Sequence, residues 1–336
     1  MDRADKRPSL PSAHVPALPP FETVLKSREV EDPVNLWVHR PIAYAIVALI
    51  YRTPITPNQI TFLALIVGLT AGVLFLVGTK TAMVVGGICL WSSAILDGAD
   101  GILARAKRLF SDVGRAIDGV ADAVVAVLTV LPAYYHLWVT QHSVPQLWAM
   151  PIALGTTLFH VYTFDFYKEA FLQHTKLSWD GKPETLPIVQ ERIERLKGER
   201  APWYAQLTTR MYLDLLQNQI RTVGVLNPRA LRHHLEFPVN EESVRTYRKH
   251  NRGPMQLWAL VSTAPHAYLM SICAMFDRLD WYLWGRLFLA NGVFLIACLW
   301  QRHATKRTVA DWAASGLSPR APSQGPASPA GLAEAR

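Results

Sequence analysis

This sequence of 336 residues has few cysteines and no glycine-rich phosphate loop. Its three cysteines, Cys89, Cys273 and Cys298, fall in three separate apolar segments. We therefore expect small core residues there, and neither a disulfide nor a zinc site. The sequence has no GxGxxG or GxxxxGK[ST] motif and no internal repeat, which argues against a nucleotide site of either loop type.

The first thirty or so residues also lack an apolar stretch of the signal-peptide type. They are polar and rich in proline, and we expect no cleaved signal. The end of the chain, from Ser315 to Arg336, is dominated by Ser, Pro, Gly and Ala and has little apolar surface to bury. That composition predicts a disordered tail.

Long apolar runs, in contrast, are abundant. Half of the residues are hydrophobic, and they come in blocks, whereas the apolar residues of a soluble core recur periodically. A helix that crosses the hydrocarbon layer needs about 20 mostly apolar residues. Six segments qualify, namely 59–79, 81–103, 114–138, 146–167, 255–276 and 281–301. The sequence therefore predicts an all-α, polytopic membrane protein with six transmembrane helices.

The formal net charge of +8 reflects this topology, and we expect no nucleic acid partner. Lys and Arg crowd the connections between spans two and three and between spans four and five, whereas residues 139–145 have none. By the positive-inside rule, the basic connections and both termini are expected in the cytoplasm.

Residues 35–52 mix apolar and basic side chains, which predicts an N-terminal helix in the membrane interface, with a short buried helix as the alternative. Thr56 before Pro57 is typical of a helix start. Helical patterns near 187–198 and 202–220 make the polar stretch after the fourth span too ordered for a simple loop. Five parts are expected. They are a polar N-terminal segment (1–34), the interfacial helix with four spans and the active site (35–168), a cytoplasmic insert (169–252), two further spans (253–302) and a disordered tail (303–336).

One pattern of small and acidic residues joins the second and third spans. It consists of Asp97, Asp100, Gly101, Ala104 and Arg105, then eight residues, then Gly114, Asp118 and Asp122. Residues three or four positions apart share one face of a helix, and the short connection 106–113 makes the two helices antiparallel neighbours. The acidic faces are therefore expected to converge at the cytoplasmic side.

Such a cluster requires a cation. Two carboxylates about 4 Å apart repel by roughly 4 kcal/mol at an effective dielectric of about 20, and an aspartate near the bilayer centre costs a further ~2.5–3.5 kcal/mol. Oxygen ligands favour Mg²⁺ or Mn²⁺, and two such ions would balance four carboxylates and still attract a diphosphate. The small Gly101, Ala104 and Gly114 leave room for that ligand, and Arg105 can hold phosphate oxygens as a fork.

The pattern resembles the signature of the CDP-alcohol phosphotransferases, D-x-x-D-G-x-x-A-R, eight residues, G-x-x-x-D-x-x-x-D, with every fixed position present. The six-span arrangement and the Thr-Pro-Asn-x-Ile-Thr start of the first span are also similar to that family, over about residues 35–168 and 253–302. The insert 169–252 is longer than the loop of a typical member.

The resemblance implies that Asp97, Asp100 and Asp118 bind the metal ions, with Asp122 also close to them. It implies that Asp122 is the general base for the acceptor hydroxyl, whose oxygen attacks the β-phosphorus of a CDP-alcohol so that CMP leaves. Contacts with the CDP moiety are implied for Gly101, Ala104, Arg105 and Gly114. Phospholipid synthesis is the expected setting, and a homodimer is common for the fold.

The substrates stay open at this stage. The donor is either CDP-diacylglycerol, with a polyol or polyol phosphate as acceptor, or a CDP-linked headgroup with a lipid acceptor. Asn58 is either helix-start chemistry or a substrate contact, and His160 and Asp165 either pair and snorkel at the interface or bind the acceptor. We expect Arg286 to snorkel at the outer end of the sixth span. The insert's basic residues form either a surface towards anionic lipids or a site for a phosphorylated acceptor: Arg229, Arg232, His233, His234, Arg245, Arg248 and Lys249.

Two other functional classes also use intramembrane acids. A membrane prenyltransferase would need a second Asp-rich motif, but residues 253–302 hold only Asp277 and Asp280, on the opposite side. An ion or proton transporter would spread polar residues along several spans, whereas these acids gather at one face. Both are weaker interpretations than CDP-alcohol transfer.

Overall fold

The computed structural model describes residues 17–25, 27–109, 112–175, 185–199, 201–233 and 239–317, and every regular element within them is helical. In chain order the α-helices are α1 (Phe21–Val24), α2 (Arg40–Ile50), α3 (Pro57–Val77), α4 (Lys80–Lys107), α5 (Asp112–Gln141), α6 (Val144–Thr175), α7 (Leu186–Gly198), α8 (Trp203–Leu226), α9 (Pro228–His233), α10 (Glu241–Ala259), α11 (Thr263–Met275), α12 (Leu279–Trp284) and α13 (Asn291–Ala314). Short 3-10 or π turns lie at Arg28–Val30, Asn35–His39 and Gly285–Ala290. The all-α expectation is confirmed.

Six helical stretches of the described residues are long and apolar enough to cross a membrane. They are Pro57–Val77, Lys80–Lys107, Ile117–Gln141, Val144–Thr175, Glu241–Met275 and Leu279–Ala314. The fifth consists of α10 and α11, which meet in a bend just before Pro265. Proline has no N–H for the helical hydrogen bond and its ring clashes with the preceding turn. The six expected transmembrane helices are confirmed, with two of them interrupted.

The first span begins where the sequence predicts. The backbone N–H of Thr56 donates to Oε1 of Gln59 at 2.9 Å, and Pro57 is the first helical residue. Ahead of it, the apolar helical stretch Asn35–Ile50 is too short to cross a bilayer and packs on α4. This arrangement brings the N-terminal part of the chain next to the acidic end of the second span.

Two glycines allow the central helices to touch through their backbones. A Cβ on Gly72 of α3 would lie 1.9 Å from the carbonyl oxygen of Leu128 on α5. A Cβ on Gly87 of α4 would lie 2.6 Å from the carbonyl oxygen of Ser271 on α11. Small residues at such crossings let membrane helices approach closely, and here they bring α3 against α5 and α4 against α11.

Several boundaries differ from the sequence-based ones. Helix α13 continues to Ala314, so residues 303–314 are helical, and assigning them to a disordered tail was wrong; residues 318–336 lie outside the described part. The fourth span extends to Thr175 and the fifth starts at Glu241, because both helices continue past their apolar sections with an amphipathic face that still packs. The two helical patterns of the insert correspond to α7 and α8.

Buried amides connect α10 with α13. Nε2 of Gln301 donates to Oδ1 of Asn251 at 2.8 Å, and Nε1 of Trp258 donates to Oε1 of Gln301 at 3.1 Å. Nδ2 of Asn251 donates to Oγ1 of Thr308 at 2.9 Å. All four side chains are buried. We call these four residues the amide network.

Candidate active site

Three of the four aspartates of the signature meet between α4 and α5. One carboxylate oxygen from each of Asp97, Asp100 and Asp118 lies within 4.8 Å of the other two. Asp100 is buried, whereas Asp97 and Asp118 are half-buried. The convergence expected from the helical spacing is therefore present, and the three residues form what we call the acid cluster.

Asp122 lies one helical turn beyond Asp118 and stands at the edge of the acid cluster. Its carboxyl group is within hydrogen-bonding range of Asp97 and interacts electrostatically with Asp118 and Asp100. It does not belong to the group of described acids whose oxygens all lie within 4.8 Å of one another. Its side chain is exposed in the isolated chain.

Thr61 is a member of the site that the sequence reasoning missed. Its hydroxyl donates to Oδ2 of Asp100 at 2.5 Å, and both side chains are buried. A hydrogen bond to a charged acceptor is short and strong, and this one fixes the orientation of the Asp100 carboxylate. The signal was present, because Thr61 closes the Thr-Pro-Asn-x-Ile-Thr stretch that marked the helix start.

Arg40 was also missed, although it lies in the helix expected at the interface. Its guanidinium forms an ion pair with Glu31 at 2.8 Å, and Nη1 donates to the carbonyl oxygen of Gly98 at 3.3 Å. Burial by itself would lower the pKa of Arg40, but the Glu31 charge and smaller contributions from Asp97 and Asp100 raise it. A permanent positive charge therefore stands beside the acid cluster. A Cβ on Gly98 would come within 3.2 Å of Nη1.

The residues expected to contact CDP lie on the same two helices. Nε of Arg105 donates to the carbonyl oxygen of Val24, and its guanidinium covers Gly101, where an added Cβ would lie 3.5 Å from Nη1. Ala104 and Gly114 are half-buried. The Arg105 fork is thus held by the N-terminal segment, beside the face that carries the acids.

The other candidates lie outside the acid cluster. Asn58 is exposed at the start of α3, and Asp165 forms an ion pair with Lys168 at 2.6 Å. His160 is fully buried, and its Nε2 is 3.0 Å from Oδ1 of Asn291.

Arg286 does not snorkel. Its side chain is 3% exposed and contacts His266 and Thr157, because a π turn directs it towards the inside of the bundle. That expectation was wrong. His234 and the side chains of Arg232 and His233 lie outside the described residues.

Comparison with known proteins agrees with the geometry. A family model described as CDP-alcohol phosphatidyltransferase matches residues 54–189. The matched segment contains the first four spans and all eight signature positions, whereas the last two spans lie beyond it. No curated protein matches the sequence significantly. Residues 54–189 are therefore similar to the CDP-alcohol phosphatidyltransferase family, and this similarity supports a multi-pass membrane transferase that takes a phosphoalcohol group from a CDP-alcohol.

Proposed function

We propose that this chain transfers a phosphatidyl group from a CDP-alcohol donor to the hydroxyl of a small polyol or polyol phosphate, with release of CMP, in membrane phospholipid synthesis. The observation that carries the proposal is the acid cluster, in which three carboxylates from two antiparallel spans come within 4.8 Å of one another. Carboxylates repel a diphosphate by themselves, so such an arrangement suits a diphosphate site only if bound cations lie between the two.

The acid cluster fits a divalent cation. Its donors are carboxylate oxygens, the ligand type that Mg²⁺ and Mn²⁺ prefer, and Asp97, Asp100 and Asp118 would hold one or two such ions. When bound there, such a cation would neutralise charge on the diphosphate and on the leaving group. Thr61 serves this site by keeping the Asp100 carboxylate in one orientation, as outer hydrogen bonds do for metal ligands generally.

Asp122 takes the proton of the acceptor hydroxyl in this proposal. The acceptor oxygen forms a bond to the β-phosphorus, the bond from that phosphorus to the oxygen bridging to the α-phosphate breaks, and CMP leaves with the electron pair. The position of Asp122 beside Asp97, with an exposed side chain, supports this role. Arg105 binds the diphosphate by exchanging its bond to the Val24 carbonyl for phosphate oxygens.

The site faces the cytoplasm in this proposal, together with both termini and the insert between α6 and α10. The excess of Lys and Arg in the connections on that side supports the orientation. Single cysteines at His142 and Ile220, in a variant without the three native cysteines, should react with an impermeant reagent from opposite sides of the membrane. Reaction of both from the same side would contradict the orientation and the span count.

The reaction is tested with the purified full-length chain. CMP release is measured for CDP-diacylglycerol and for CDP-linked headgroups, each with glycerol phosphate, inositol phosphate, free polyols and diacylglycerol as acceptors. We expect release only with Mg²⁺ or Mn²⁺ present, and with CDP-diacylglycerol as donor. Release with a CDP-headgroup and diacylglycerol would reverse the donor and acceptor classes. No release with any pair, from folded protein, would contradict the proposal.

A further inference from the structure

A basic groove lies between the start of α10 and the end of α13. It is a cavity of about 930 Å³, lined by five Lys or Arg side chains and two histidines against a single glutamate. Because consecutive spans alternate in direction, the start of the fifth and the end of the sixth lie on the same side of the bilayer as the acid cluster. We call this feature the basic groove.

Some of its cations already have partners. Glu29, in the 3-10 turn near the N-terminus, forms ion pairs with Nε of Arg248 at 3.2 Å and with Nε of Arg252 at 3.6 Å. Asp311 at the end of α13 pairs with Lys249 and His250, at 3.4 and 2.8 Å.

Three other basic side chains of the lining are unpaired within the described residues. Arg245, His303 and Arg307 have no hydrogen bond or ion pair with any part of the chain that the structure describes. Like charges collected around one cavity repel, and an anion that enters the cavity relieves this repulsion. The groove therefore attracts a ligand that carries at least one negative charge.

The floor of the groove is apolar and leads towards the hydrocarbon. The indole of Trp300 packs on Gly253, where an added Cβ would lie 2.6 Å from the ring. Ile296, one turn before Trp300, and Leu299, the residue before it, are 57% and 67% exposed. The accessible face of α13 thus changes from aliphatic, through an interfacial tryptophan, to His303 and Arg307. A free phosphate needs no such gradient, whereas a lipid with acyl chains below an anionic headgroup matches it.

We infer that the basic groove binds the phosphate headgroup of an anionic membrane lipid, whose acyl chains lie along the aliphatic face of α13. Basic pockets between membrane helices commonly hold such headgroups. The basic groove shares no residue with the acid cluster, and this inference does not depend on the transferase reaction. The lipid phosphate would compete with Glu29 for Arg248 and Arg252, so removing the Glu29 charge should strengthen binding.

Native mass spectrometry of the full-length protein in neutral detergent can test this inference. The protein is titrated with micelles containing phosphatidylglycerol or phosphatidylcholine, and separately with glycerol phosphate or inorganic phosphate. We expect one retained phosphatidylglycerol and no retained phosphatidylcholine. The double variant Arg245→Gln with Arg307→Gln removes two positive charges from the groove and should bind phosphatidylglycerol about tenfold or more weakly. Neither substitution leaves an acid of the described chain without its ion-pair partner.

The matched control is Arg302→Gln with Lys306→Gln, which removes the same number of charges at positions of α13 outside the groove lining and should bind normally. Glu29→Gln should tighten binding. Equal weakening of both double variants would overturn the inference in favour of general surface attraction. Binding of glycerol phosphate without binding of phosphatidylglycerol would overturn it in favour of a soluble phosphoester. A concentration-dependent dimer that the groove variant abolishes would show a subunit interface instead.

Discussion

The acid cluster and the amide network are both sets of polar side chains between packed spans, but only in the amide network are the members satisfied by one another. In the amide network, each donor meets an acceptor of the same chain: Trp258 meets Gln301, Gln301 meets Asn251, and Asn251 meets Thr308. The acid cluster gathers three carboxylates within 4.8 Å, with Thr61 as a neutral donor to one of them. Carboxylates are acceptors only when ionised.

The difference separates a structural role from a functional one. Neutral amides that satisfy one another stabilise helix packing by a modest amount. Carboxylates that repel one another lower stability, so their presence at a helix crossing is explained by a ligand that binds there. Substitutions in the acid cluster should therefore change the rate of turnover, whereas substitutions in the amide network should change the free energy of unfolding.

The largest effect is expected for Asp118→Ala or Asp97→Ala. Either change removes a carboxylate that the cation needs, so CMP release should fall to background. The protein should remain folded, because losing one of several like charges relieves repulsion. Size-exclusion chromatography and thermal unfolding provide the folding control. Wild-type release in either variant, or by the unaltered chain in excess chelator, would refute the metal role of the acid cluster.

Asp122→Asn should have the next largest effect. The amide keeps the size of the side chain but cannot accept the proton, and a positioned base contributes about 10²–10⁴-fold. The rate should fall by that factor, while the affinity for the CDP donor, measured with metal present, falls far less. Arg105→Ala is the matched contrast, and it should mainly weaken donor binding. If Asp122→Asn loses donor and metal as fully as Asp97→Ala does, Asp122 is a ligand and the base lies elsewhere.

The sequence predicted the acid cluster well because helical periodicity alone sets which residues share a face. Asp97 and Asp100 fall on one face of α4. The short connection makes α5 an antiparallel neighbour of α4, which places Asp118 opposite that face. The same reasoning could not find Arg40 or Glu31, because their position beside α4 depends on how the N-terminal segment folds back onto the bundle. It also could not predict that Arg286 is buried, because that position depends on a π turn in the helix.

Substitutions of Thr61 test whether metal binding by the acid cluster depends on the hydrogen bond from the Thr61 hydroxyl to Asp100. Thr61→Val keeps the shape of the side chain and removes the donor to Asp100. Loss of such an outer partner typically costs about 10–100-fold in metal affinity or activity, and we expect a loss in that range for Mn²⁺ binding followed by calorimetry. Thr61→Ser retains the hydroxyl and should bind Mn²⁺ nearly as the unaltered chain does. Equal losses in both variants would point to packing, with no special role for the hydroxyl.

The smallest effect on turnover is expected in the amide network. Gln301→Leu leaves the Trp258 N–H and Oδ1 of Asn251 without this partner in a buried position, and an unsatisfied buried group costs about 1–3 kcal/mol. The free energy of unfolding in mixed micelles should fall by that amount, while CMP release per folded molecule stays within a few-fold of the unaltered chain. Gln190→Leu, at an exposed position of α7, is the control and should change stability by less than about 0.5 kcal/mol. If Gln301→Leu reduced turnover as strongly as Thr61→Val while the protein stayed folded, the amide network would be coupled to the chemistry, and its separation from the acid cluster would have to be abandoned.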